Sequence, residues 1–281
     1  MTADAMTATG MSPPRASPWL GPMSSLPTVW TNALAATVLA GGDLWAGRTG
    51  WVLGAMTLIH LGAAGLGGAG LGAASLGGAF GRRGRPARPV AAGLTMLGGV
   101  ALMASFGTMV GAFGLALAAA VAAVGVAPRT HPSGPVLMGL RCALTYGGAA
   151  AAASGSIPAV ALLAAAAALV HAVGLGCATR EGARARRWAL ALLALPPLIA
   201  LPALGGNGVA VAAWTFLLAA DLSAVRKVRR GDRPGAAASL LAALSLLDGV
   251  FAALVSPLAA LLCWAGFAAT RLLQRLTRED P

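Results

Sequence analysis

The feature that most constrains this chain is an alternation. Apolar runs of about twenty residues, each long enough as a helix to cross a hydrocarbon core of about 30 Å, are separated by short connectors, and positive charge collects in every second connector. Of the 20 Lys and Arg residues, Arg48 alone falls in one of the other connectors, and Arg141 alone lies within a run beyond its cytoplasmic end turn, Arg271 standing in the last turn of the final run. The remaining eighteen fall on one side of the alternation when the amino terminus is placed with them. Cytoplasmic connectors of membrane proteins carry such an excess. The expectation is therefore a multi-pass protein of the cell membrane, amino terminus in the cytoplasm. Composition agrees: the chain is 10% charged and 58% hydrophobic, whereas a soluble domain is about 25% charged.

The runs lie at 27–46, 51–79, 90–127, 136–154, 157–178, 188–204, 208–225, 236–255 and 257–273. The third is long enough for two helices hinged near 107–114, so the fold class is all-α, a polytopic transmembrane bundle of nine to ten helices. The alternation of charge favours ten. Residues 1–24 lack an apolar stretch behind a basic start and read as a disordered cytoplasmic tail. Residues 25–276 form a single transmembrane domain, and 277–281 a second cytoplasmic tail. Trp45 and Trp51 flank a short turn as interface anchors. The glycines of 51–79 suit close helix approach in lipid. Runs 188–204 and 208–225 should form a hairpin, as should 236–255 and 257–273.

A net charge of +12 does not imply nucleic acid as a partner, because the basic residues sit in short clusters and a single tyrosine offers no stacking platform. Cys142, Cys177 and Cys263 are isolated in apolar surroundings and give neither a disulfide framework nor a metal spacing. His60 and His171 lie in apolar runs without a second ligand three or four residues away, and His131 stands in a Pro-flanked connector. The expectation is satisfied core histidines, a solvated loop histidine and no metal held by protein alone. No Gly-x-Ser-x-Gly stands beside a strand, which removes acyl hydrolysis.

Ionisable groups at membrane depth are functional candidates because each is costly there unless paired. Asp248, in the middle of SLLDGVFAAL, is the sharpest, a buried acid held by Ser245 or by a neighbouring helix. Arg141, one to two turns into its run, either snorkels to the nearby surface or faces the interior. Glu181 and Asp221 sit near basic helix ends and read as local ion pairs, and Asp43 pairs with Arg48 or faces water. Arginines at the ends of the second, fifth and seventh runs would converge on one rim and attract lipid headgroups or a diphosphate.

The order of segments resembles the UbiA-type membrane prenyltransferases. Arg85-Pro86-Ala87-Arg88-Pro89-Val90 is similar to the basic stretch that follows that family's second helix, and GPVLMGLRCALTYGG resembles its fifth. RRGDRPGAAASLLAALSLLDG resembles a loop and late helix of a bacterial subgroup, and the likeness covers about residues 26–276. The resemblance implies a helical ring around a cytoplasm-facing lipid cavity, an isoprenyl diphosphate or isoprenoid lipid as partner beside membrane lipid, and magnesium as cofactor where prenyl transfer persists. It also implies diphosphate contacts from Arg82, Arg85, Arg88, Arg141, Asn32 and Glu181. One departure bears on activity. The positions of the family's first acidic motif, Asn followed by three Asp, fall on Ala73, Ala74, Gly77 and Gly81, and Glu181 alone remains of the second. The expectation is an isoprenoid-handling homologue with magnesium-dependent catalysis weakened or lost. The alternative is a multi-pass small-metabolite transporter, which should show two similar halves or paired broken helices.

Overall fold

The computed structural model describes residues 25–70, 87–126, 131, 133–205 and 207–277. Within them are ten α-helices and no strand. They are α1 Leu26–Leu39, α2 Gly47–Gly70, α3 Ala87–Ala104, α4 Thr108–Val126, α5 Gly134–Ser154, α6 Ala159–Ala178, α7 Ala183–Ile199, α8 Gly208–Arg229, α9 Arg233–Ala252 and α10 Pro257–Thr277. The Ala- and Leu-rich runs are strong helix formers, and the breaks have local causes. Gly107, at φ +129°, separates α3 from α4 inside the expected hinge. Gly155, at φ +75°, ends α5 in the left-handed conformation, its N–H bonded to Ala151 O at 2.9 Å. The Asp232 carboxylate caps α9 by accepting from Gly235 N at 2.8 Å.

Seven of the ten, α2 and α5 to α10, are long and apolar enough to cross a membrane. This agrees with a multi-pass helical membrane bundle. α1 is shorter, 14 residues, or about 21 Å at 1.5 Å per residue. Twelve of those residues are buried, Thr28, Thr31, Asn32 and Thr37 among them. The polar side chains of α1 therefore face other helices, because α1 packs against α2, α5, α9 and α10. α9 is the second interior element. Enclosed by α1, α6, α8 and α10, it is buried along most of its length.

One expected hairpin is loose. α7 lies against α6 and α8 against α9, while α7 and α8 touch slightly. Asn207 supplies the reason. Its Oδ1 caps α8, accepting from Val209 N at 3.0 Å and Ala210 N at 3.2 Å, while its Nδ2 donates to Ala253 O at 2.5 Å. The start of α8 is thereby tied to the end of α9. Pro196 and Pro197 interrupt the hydrogen-bond ladder of α7, and Trp214 Nε1 donates to Pro197 O at 2.9 Å across the gap. The expected hairpin of α9 and α10 is present.

Charge separates by end. Arg180 Nη2 donates to His131 O, Arg233 pairs with Glu181, and Lys227 Nζ donates to Ser239 Oγ at 2.7 Å. These contacts gather the ends of α6 and α8 and the starts of α5, α7 and α9 on one side. At the other end Arg48 lies over the Phe106 ring, 5.4 Å from its centroid.

Candidate functional site

Among the described residues, an organised polar cluster in the bundle interior centres on Asp248 of α9, whose side chain is fully buried. Tyr146 of α5 donates its hydroxyl to Oδ1 at 2.7 Å. Thr31 of α1 has a single hydroxyl proton, and its shortest contact, 2.6 Å to Oδ2, claims it. Ser245 Oγ lies 3.1 Å from the same hydroxyl. The Asn32 amide takes the orientation that satisfies both partners, its nitrogen 3.0 Å from Oδ1 and 2.7 Å from Oδ2. Three side chains from two other helices thus donate to one carboxylate, which ties α1, α5 and α9 together. Cys263 of α10 points its thiol at Thr31 O from 4.0 Å.

The sequence identified Asp248 as a buried acid, and the expectation of a neighbouring helix as its holder is met through Thr31, Tyr146 and Asn32; Ser245 acts through Thr31. Tyr146 and Thr31 were not singled out. The available signal was that Tyr146 is the chain's one tyrosine and stands inside an apolar run.

The expected diphosphate contacts divide. Arg82 and Arg85 lie outside the described residues, as do Ala73, Ala74, Gly77 and Gly81. Arg88 falls in the first turn of α3. Asn32 belongs to the Asp248 cluster. Glu181 stands at the arginine-bearing end, 87% exposed, with Oε1 2.6 Å from Arg233 Nη1. Arg141 of α5 is half-buried, and its Nε is enclosed without a partner.

One expectation about acids is corrected. Among the described residues Asp221 forms no ion pair: it is 6% exposed, and neither carboxylate oxygen has a hydrogen-bond partner. It shares the buried face of α8 with Leu217 and Ala224 and points away from the terminal arginines. Asp43 takes the second of its two expected settings: it is exposed, its Oδ1 accepts from Trp45 N at 2.9 Å in a local turn, and Arg48 covers Phe106 instead. The histidines are partly satisfied. His60 Nδ1 lies 2.8 Å from Met56 O and His171 Nε2 3.1 Å from Leu240 O, each with the other ring nitrogen unpartnered.

Two cavities adjoin Asp43 at the opposite end. One, of about 260 Å³, lies between Leu44, Trp45, Val255 and Leu258, and a smaller one, of about 40 Å³, lies beside Arg48 and Thr49. Neither includes a residue of the Asp248 cluster.

Magnesium prefers one or two carboxylates with few competing cations. The residues here do not fit it. Glu181 is engaged by Arg233, and among the described residues no three His, Cys, Asp or Glu side chains gather as a metal site. Set against family models, curated proteins and solved structures, the chain matches none.

Proposed function

We propose that this protein is an integral membrane homologue of the UbiA-type prenyltransferases, handling an isoprenyl diphosphate or isoprenoid lipid with magnesium-dependent transfer weakened or lost. The motif order supports the family reading, and one observation carries the loss of metal chemistry. Glu181, the sole acid left from the second acidic motif, is already paired with Arg233 at 2.6 Å. With Ala and Gly at 73, 74, 77 and 81, a departing diphosphate would meet guanidinium groups in place of a Lewis acid.

The test is incubation of the purified protein with labelled isoprenyl diphosphates, with and without magnesium, in the presence of a native lipid extract as acceptor. Binding without appreciable transfer is the expected result. Magnesium-dependent turnover near the ~10 s⁻¹ typical of enzymes would refute the weakened-catalysis reading, and absence of binding would refute the isoprenoid reading.

A small-metabolite transporter is the second reading, favoured by one observation. Asp221 is an acid at membrane depth with both oxygens unpartnered, a common mark of an ion or substrate path. Reconstituted vesicles separate the two, because uptake that disappears in Asp221→Asn would support transport.

A further inference from the structure

Arg141 poses an electrostatic problem that the acids among the described residues do not solve. It lies seven residues into α5, about 10 Å from the arginine-bearing end at 1.5 Å per residue. Its side chain is half-buried, with Nε enclosed and unpartnered. Of the eight acids, Asp4, Glu279 and Asp280 lie outside the described residues; the other five can be accounted for individually. Asp43 and Asp232 cap local turns, and Glu181 holds Arg233. The Asp248 oxygens accept from Tyr146, Thr31 and Asn32. The Asp221 oxygens accept no hydrogen bond among the described residues. No salt bridge reaches Arg141 among the described residues.

The second unsatisfied group is His60 on α2, which touches α5. It is 6% exposed, and Met56, one turn before it, packs against Gly148, two turns beyond Arg141 on α5. Met56 O can only accept, so His60 Nδ1 is the donor at 2.8 Å. That leaves Nε2 presenting a lone pair, and it is enclosed without a partner. A guanidinium seeking an anion therefore neighbours a nitrogen seeking a donor.

We infer that Arg141 and His60 form an intramembrane site for a phosphate monoester. The guanidinium fork matches phosphate oxygens, and a monoester, whose second pKa is near ~6, also carries a P–OH that can donate to Nε2. A carboxylate or a phosphodiester supplies the charge but not the donor. An isoprenyl phosphate and phosphatidic acid present the same head, and preferring the isoprenyl source rests on the function proposed above.

Thermal unfolding of the full-length protein in detergent, followed by tryptophan fluorescence, reads ligand binding through mass action. The probes are farnesyl phosphate, farnesol, phosphatidic acid, phosphatidylglycerol and inorganic phosphate. Farnesyl phosphate or phosphatidic acid should raise Tm by several degrees, and phosphatidylglycerol and farnesol by far less. Arg141→Gln and His60→Phe should each weaken the monoester at least tenfold. Arg141→Lys, which keeps the charge and loses the fork, gives the same reading if Arg141→Gln does not fold. A shift with phosphatidic acid and none with farnesyl phosphate upholds the site and removes its isoprenoid source. Inorganic phosphate acting alone assigns the site to the free ion. Equal shifts in wild type and variants, equal shifts with phosphatidylglycerol, or no shift with any probe overturns the site. Isoprenyl diphosphate binding, measured separately, then still decides the isoprenoid reading.

Discussion

At the scale of single residues, Asp248 and Asp221 are the informative contrast. Asp248 accepts from three donors, so removing a donor and removing the acceptor have different consequences. Tyr146→Phe deletes one hydrogen bond and should cost about 1 kcal/mol. Asp248→Ala strands Tyr146, Thr31 and Asn32 inside the bundle and should cost about 3 kcal/mol or more, since each unsatisfied buried donor costs about 1–3 kcal/mol. Detergent unfolding curves for both variants and the double variant measure the coupling. Additivity within about 0.5 kcal/mol would show that the contact contributes nothing. The sequence revealed Asp248 as buried because the middle of an apolar run offers no other surroundings. Its partners were not legible: Tyr146 is 102 residues away and Thr31 217, and local spacing does not encode which helices meet. Asp221 was misread for the converse reason. Arg226, Arg229 and Arg230 are near it in sequence, but Asp221 follows the period of Leu217 and Ala224 to the inner face.

Between elements, the glycine-rich packing of α2 on α3 can be tested residue by residue. A Cβ added at Gly99 would lie 2.6 Å from Ala55 O, and one at Gly62 would lie 2.6 Å from Ala92 O and 2.7 Å from Met96 N. These are backbone atoms of the facing helix and cannot swing aside, so Gly62→Ala and Gly99→Ala should each cost about 1–3 kcal/mol. Gly54 and Gly98, on the same two helices, have open space at the corresponding point. There alanine should be neutral or stabilise by up to about 1 kcal/mol through helix propensity. Unfolding of the four variants decides the matter, and a uniform response would contradict the close approach. Composition told that small residues pack these helices. Which glycines face a backbone was hidden, because glycine recurs on all sides of α2 and leaves no stripe to read. Helix ends were far more legible, since Gly107, Gly155, Asn207 and Asp232 terminate or cap helices through their own chemistry.

For the molecule as a whole, the central physical fact is that charge separates along the bundle axis. Glu181, Arg233, Arg180 and Lys227 gather at one end, and Asp43, Trp45 and Arg48 lie at the other. Ten helices with an even number of crossings would bring both termini to the basic side. Near an anionic leaflet each Lys or Arg is worth about 1 kcal/mol, so the inverted arrangement would forgo the attraction of many such groups at once. The orientation follows as a prediction. With Cys177, the half-buried cysteine, replaced by alanine, single cysteines at Trp45→Cys and Arg184→Cys are treated on intact cells with a membrane-impermeant maleimide. Trp45→Cys should label from outside, and Arg184→Cys only after permeabilisation. Labelling of both from the same side would break the alternation from which the ten-helix topology was read. It would also remove the reason to place arginines, phosphate esters and an isoprenoid head at a common cytoplasmic rim. Labelling with the two sides exchanged would preserve the helices and turn that rim outward. The anion-seeking residues would then face a compartment from which cytoplasmic isoprenyl diphosphates are excluded, and the proposed function would fail even though the fold survived.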